Sequence, residues 1–349
     1  MTVERVLLAS PRGFCAGVEM AIKALAWMVR VFEPPVYCYH EIVHNRAVVR
    51  RFEALGVRFV DDVTSVPPGA PLMLSAHGSA PEVVTAARAQ GRFVVDAVCP
   101  LVTKVHHEAR RRAREGYTIL YVGHAGHDEA TGTLAVAPEA IRLVEDETDL
   151  DAALEDLAPS APVAMLAQTT LALTDWEGLR DRAAARRPDL WTAARDDLCF
   201  ATTNRQAALR LVAPRADAVV VIGSANSSNT LALARVAREA GAARVLRVDG
   251  PDDLDPGALG DARVVALTAG ASAPEELVEG VIALLAPRHG VEEVCLTDEA
   301  EYFPPPRELR DLLRRLAVLV TPWWVPAAPD PRGIDRDLDA AEVLTTLAG

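Results

Sequence analysis

Short apolar runs that break into small polar residues and then into helical stretches recur along this chain, and that alternation leaves few folds open. The runs end VERVLLAS, PPVYCYH, PLMLSAHGS, RFVVDAVC, YTILYVGHAGH, APVAMLAQTT, ADAVVVIGSANSSN and RVVALTAGASAP. Alternating β and α segments predict an α/β fold of mostly parallel sheets with helices on their faces. In such sheets ligands gather beyond the carboxyl ends of the strands, where these polar turns lie. Helices are expected near 16–32, 44–56, 82–90, 101–114, 176–186, 202–214, 228–240 and 274–286. Pro100 and Pro274 suit helix starts, because proline tolerates the first helical position.

Three cysteines share one local setting, a strand-like run breaking into a turn before a helix: Cys15, Cys99 and Cys199. Their spacings of 84 and 100 residues match one α/β unit each. Three similar small units around a central site are therefore expected, at 1–98, 99–198 and 199–287, followed by a C-terminal segment at 288–349. The chain has 349 residues, 50% of them hydrophobic, enough to give each unit a core. Pro251–Gly260, rich in Pro, Gly and Asp, reads as a surface connection.

The formal charge of −13 argues against nucleic acid or an anionic membrane as partner, and the longest basic run is Arg110–Arg112. Only Lys23 and Lys104 are lysines and neither sits in a phosphate-binding Gly-Lys-Ser/Thr loop, which disfavours P-loop ATP chemistry. Five cysteines form an odd set that reads as reduced thiols of the cytoplasm. The N-terminus reads as a first strand rather than a signal peptide. The apolar stretch Leu316–Ala328 is short and broken by two prolines, below the ~20 residues of a membrane span.

A cysteine just before a helix has its thiolate favoured by the helix dipole and free N–H groups, which suits a metal ligand. The plain alternative is a small buried hydrophobe, and Cys38 and Cys295, outside the turn–helix setting, are read that way. Three thiolates are one short of the four that close an iron–sulfur cube, leaving one iron open. Zinc held by three thiolates and an imidazole is a rival reading. His44, His77 and His127 lie at strand ends and suggest donors for an anionic ligand. Ser227, Ser228 and Asn229 lie between an apolar strand and a helix; capping accounts for one of them, three together favour anion contact. Ser272 follows the same logic more weakly, and Thr169-Thr170 decides nothing alone. Glu129, beside GHAGH, is the best proton donor, since burial can raise a Glu toward neutrality.

These segments together resemble the LytB family of 4-hydroxy-3-methylbut-2-enyl diphosphate reductases. The resemblance rests on PRGFCAGV, HEIVHN, SAHG, DAVCPLVTKVH, GHAGH, QTT, CFATTNRQ, GSANSSN, TAGASAP and PPPRELR, in that order from about Leu7 to Leu309. It implies a three-lobed α/β fold and a 4Fe–4S cluster on Cys15, Cys99 and Cys199 with one open iron. It implies a diphosphate among His44, His77, Ser227, Ser228, Asn229 and Ser272, with His127 there and near the allylic hydroxyl. Thr169 and Glu129 would lie in the proton path. The implied reaction, the last step of the methylerythritol phosphate route to isoprenoids, removes that hydroxyl with two electrons and two protons to give isopentenyl and dimethylallyl diphosphates. Ferredoxin or flavodoxin would supply the electrons.

The chain departs from the family pattern after GHAGH, where Asp128 adds a carboxylate beside Glu129 and is expected to disturb its proton affinity. Val98 and Thr230 are further departures. A diverged diphosphate-binding relative without reductase activity, or a cluster-dependent hydro-lyase, are the alternative functions. The resemblance stops at Leu309, leaving a tail with Trp323-Trp324 whose role stays open.

Overall fold

The computed structural model describes residues 3–89, 91–193, 197–320 and 335–347. Its strands make three sheets in which every pairing is parallel. One sheet joins β2 (Val36–Tyr39), β3 (Val57–Val60), β4 (Leu72–Leu74) and β5 (Val94–Asp96) in the order β3-β2-β4-β5. A second joins β6 (Thr118–Val122), β7 (Ile141–Val144), β8 (Val163–Ala167) and β9 (Trp191–Thr192) in the order β7-β6-β8-β9. The third has five strands: β10 (Ala218–Ile222), β11 (Val245–Val248), β12 (Val264–Ala269), β13 (Val291–Cys295) and the chain's first strand, β1 (Arg5–Ser10). Its order is β11-β10-β12-β1-β13.

The expected three α/β sheets are present, but they do not follow contiguous segments. Strand β1, expected within 1–98, pairs with β12 in the register Arg5↔Val264 to Leu8↔Leu267, and β13 of the C-terminal segment pairs on its other side. The physical reason lies in the pattern of side chains. Val6, Leu7, Leu8 and Ala9 are all buried, which only an interior strand allows. The described residues cluster into two compact units. One lies within Met1–Gly13, Ser79–Pro81 and Leu101–Glu299 and holds the second and third sheets; the other lies within Phe14–Gly78, Glu82–Pro100 and Ala300–Gly349 and holds the first.

The expected helices are found as α1 (Ala16–Val31), α2 (Arg46–Ala54), α3 (Pro81–Arg88), α4 (Pro100–Arg114), α7 (Leu173–Arg186), α8 (Phe200–Val212), α9 (Ser228–Glu239) and α10 (Glu275–Leu285). Short α5 (Asp128–Leu134) and α6 (Glu147–Glu155) escape the sequence pattern. Helix α6 is acidic and starts on an Asp146 cap that accepts from the N–H of Thr148 and of Asp149, a local device that outweighs its weak apolar periodicity.

Part of the tail packs on the first sheet's unit. Leu309 of α11 (Arg307–Val320), and Ala340 and Leu344 of a last helix (Ala340–Leu347), join the apolar cluster that contains Ile22, Leu25 and Phe52. Lys23 is 3% exposed and donates to the Asp335 carbonyl at 3.0 Å, 3.3 Å from Glu19 Oε2, while the Tyr302 hydroxyl donates to Asp335 Oδ2 at 2.7 Å. Trp323-Trp324, and with them most of the Leu316–Ala328 stretch, lie outside the described residues. Among the described residues no helix is long and apolar enough to cross a membrane.

Candidate active site

The three sheets repeat one arrangement. In each, the strand order reverses between two central strands, β2 and β4, β6 and β8, β10 and β12. Such switch points open a crevice at the strand carboxyl ends. The turns there carry His44 and His77, then His127 and Thr169, then Ser227–Asn229 and Ser272. Each sheet also has a strand beyond the switch, β5, β9 or β1, and each of these leads to a cysteine: Cys99, Cys199 and Cys15. The place of β1 in the third sheet thus matches that of β5 and β9 in theirs, which explains the even cysteine spacing.

Each of the three cysteines immediately precedes a helix. Cys15 is the N-cap of α1 and makes no side-chain capping bond. Cys99 precedes Pro100 of α4. Cys199 caps α8, its sulfur accepting from the Thr202 N–H at 3.3 Å and lying 2.9 Å from Thr202 Oγ1. All three are half-buried and free of disulfides, as is fully buried Cys38, whose thiol burial pushes up, and exposed Cys295. Gly17, one turn into α1, leaves space for two of the sulfurs. A Cβ there would stand 2.8 Å from Cys99 Sγ and 4.0 Å from Cys15 Sγ.

Beyond the first sheet the His44 and His77 rings stack, with centroids 3.9 Å apart and planes 8° apart, and His44 Nδ1 lies 3.4 Å from Glu41 Oε2. Asn45 of the same motif is structural: its side-chain oxygen caps α2, accepting from Ala47 N–H at 3.0 Å and Val48 N–H at 3.2 Å.

At the switch of the second sheet, Glu129 is 2% exposed. Its Oε1 accepts from the Thr169 N–H at 2.7 Å and its Oε2 from the Thr169 hydroxyl at 3.0 Å. Burial raises the carboxyl to about 7 in spite of those two bonds, and the charge of Asp197 adds to the rise. The carboxylate whose charge adds to that rise is Asp197, which the sequence reading missed. Asp197 is itself buried and raised to about 6, held down in part by Lys104, whose Nζ is 3.6 Å away. His127 caps α5 with Nδ1, accepting from the Glu129 N–H at 3.2 Å. A nitrogen that accepts carries no proton, so neutral His127 bears its proton on Nε2.

In the third sheet Ser227 caps α9 by accepting from Thr230 N–H at 3.3 Å, so the capping role expected of one residue in the run falls to it. Ser228 and Asn229 begin the helix, and both amide atoms of Asn229, 3% exposed, find no hydrogen-bond partner among the described residues. Ser272, 6% exposed, follows β12. A buried amide with neither atom bonded is costly unless a ligand meets it.

Much of CFATTNRQ turns out to be bracing. Arg205, 1% exposed, donates to the Gly13 carbonyl at 2.9 Å and pairs with Glu299 at 2.9 Å. Gln206 donates to the Leu171 carbonyl and accepts from the Leu173 N–H, both at 2.9 Å, fixing the turn that follows Thr169.

Comparison with known proteins bears on the family and the fold. The model of the LytB protein family matches residues 6–286. A 4-hydroxy-3-methylbut-2-enyl diphosphate reductase of Rhodopirellula baltica is 47% identical over 312 residues, 89% of this chain and 97% of the relative. The reductase of the same name from Nocardia farcinica is 44% identical over 316 residues, 90% of this chain and 93% of the relative. A solved structure of the E-1-hydroxy-2-methyl-but-2-enyl-4-diphosphate reductase from Plasmodium falciparum superposes with a TM-score of 0.87 at 30% identity, covering 90% of this chain and 99% of that one. A family match across most of the chain, with near-full-length relatives and the same fold, leads to one conclusion: the chain belongs to the LytB protein family.

Proposed function

We propose that this chain is a cytoplasmic 4-hydroxy-3-methylbut-2-enyl diphosphate reductase. It replaces the allylic hydroxyl of that diphosphate by hydrogen, consuming two electrons and two protons and releasing water with isopentenyl and dimethylallyl diphosphates. The observation that carries the chemistry is the Glu129–Thr169 pair, a buried carboxyl raised to about 7 and fixed at both oxygens. Such a group still holds a proton in much of the population near neutral pH, as a proton donor must.

Cys15, Cys99 and Cys199 would hold a 4Fe–4S cluster. Soft thiols and the room left by Gly17 beside two of them suit that group. When bound, the cluster would supply electron transfer and a Lewis-acidic iron with an open position. The remaining work falls to the chain's own side chains. His44, His77, Ser227, Ser228, Asn229 and Ser272 would bind the diphosphate, and the bare amide of Asn229 supports that assignment. His127 would donate through Nε2 to the substrate. Glu129 would give its proton to the departing oxygen, with Thr169 keeping the carboxyl aimed. Reduced ferredoxin or flavodoxin would deliver the electrons.

The test is anaerobic turnover of the named diphosphate with reduced viologen, on protein reconstituted with iron and sulfide. Substrate-dependent viologen oxidation that yields both five-carbon diphosphates is expected, and Cys199→Ser should lose iron, sulfide and activity together. A protein with full iron and sulfide but no turnover would overturn the assignment.

A further inference from the structure

Gln168, at the end of β8, is fully buried and uses its whole carboxamide. Its Oε1 accepts from the His124 backbone N–H at 3.0 Å. A backbone N–H can only donate, so this bond settles which way the amide points. The two N–H bonds of Nε2 then go to Thr170 Oγ1 at 2.9 Å and to Ser228 Oγ at 3.1 Å. The two hydroxyls also meet, Thr170 donating to Ser228 at 2.9 Å. Gly123 is needed for this closeness, since a Cβ there would stand 3.1 Å from Gln168 Oε1 and 2.8 Å from the Tyr121 ring.

The protons can be counted. A serine oxygen has two lone pairs and one proton. Gln168 and Thr170 both donate to Ser228, so neither takes its proton, which is left for the ligand. Ser228 begins α9, where free N–H groups also favour an anion, and the next side chain is Asn229, whose amide has no partner among the described residues.

We infer that Gln168 and Thr170 are positioning residues that turn the Ser228 hydroxyl into a hydrogen-bond donor toward the ligand, so that this part of the site takes an acceptor such as a phosphoryl oxygen. The inference rests on the diphosphate-binding role proposed above. The chain of donation runs one way, from Gln168 and Thr170 to Ser228 and from Ser228 to the ligand. A phosphoryl oxygen that has lost its proton accepts from Ser228; a ligand group that offers only donors meets another donor and is refused.

The experiment reverses the chain. Gln168→Glu still accepts from the His124 N–H, but its second oxygen accepts where the amide donated, and turns the Ser228 proton inward. Affinity for inorganic pyrophosphate is measured by anaerobic calorimetry on reconstituted protein, beside KM and kcat for the diphosphate substrate. In the wild type, Ser228→Ala should weaken pyrophosphate binding about tenfold or more, the scale of a hydrogen bond to a charged group. Gln168→Glu should weaken it at least as much, raising KM far more than it lowers kcat. In the Gln168→Glu background Ser228→Ala should then cost nothing further. Thr170→Val, nearly isosteric, should also couple to Ser228→Ala, and Thr170→Ser should restore wild-type affinity. Equal factors for Ser228→Ala in all three backgrounds would overturn the inference. Absence of turnover in the wild type would overturn the functional reading instead, while the pyrophosphate titrations still decide between coupled and additive effects.

Discussion

Replacing Glu129 with Gln keeps the shape of a buried side chain and removes its charge. The carboxyl stands at about 7 in the folded protein against an ordinary value of 4.5, chiefly because burial disfavours its ionised form. A rise of that size corresponds to about 3 kcal/mol between the two protonation states. The sign follows from proton binding. Between 4.5 and about 7 the folded state holds a proton that the unfolded chain has released, so stability falls as pH rises. The contribution of the protonated carboxyl is fully present below 4.5 and lost once pH passes about 7. E129Q has no such dependence. Urea midpoints of wild type and E129Q, measured anaerobically at matched ionic strength across that window, should therefore diverge, with the variant gaining about 3 kcal/mol on the wild type toward high pH. The same titration should appear in wild-type kcat as a fall above about pH 7, where the donor has lost its proton, and E129Q should bind the diphosphate while turning it over poorly. A stability difference that stays flat from low to high pH would refute the buried-acid argument, whatever the activity of the variant.

Gly17→Ala sets a methyl 2.8 Å from Cys99 Sγ; iron and sulfide uptake should fall while the helix signal in circular dichroism persists, because Ala is the better helix former by roughly 0.5–1 kcal/mol. Leu344→Ala, in the last helix, empties a position that is 1% exposed in the cluster with Leu25 and Phe52, and denaturation should show a loss of about 2–4 kcal/mol. An unchanged midpoint there would mean that the tail contributes nothing to this core.

The alternation of apolar runs, polar turns and helices was enough to derive parallel α/β sheets and to place the candidate site residues at strand ends, because side-chain period and turn chemistry are local properties of the chain. The setting of Cys15, Cys99 and Cys199 was equally local: each precedes a helix, as the sequence pattern required. Strand partnership is not local. An apolar run such as Arg5–Ser10 reads the same beside any neighbour, and only the tertiary structure puts it between β12 and β13, in the position that β5 and β9 occupy in their sheets. The proton affinity of Glu129 has the same character. Sequence adjacency pointed to Asp128, but burial raises it most and the charge of Asp197, sixty-eight positions away, adds to the rise. Gln168 shows the limit most plainly, since its partners His124, Thr170 and Ser228 come from three different turns. Residue type and spacing determine which groups stand at strand ends; which of them share a proton depends on distances that exist only after the sheets have formed.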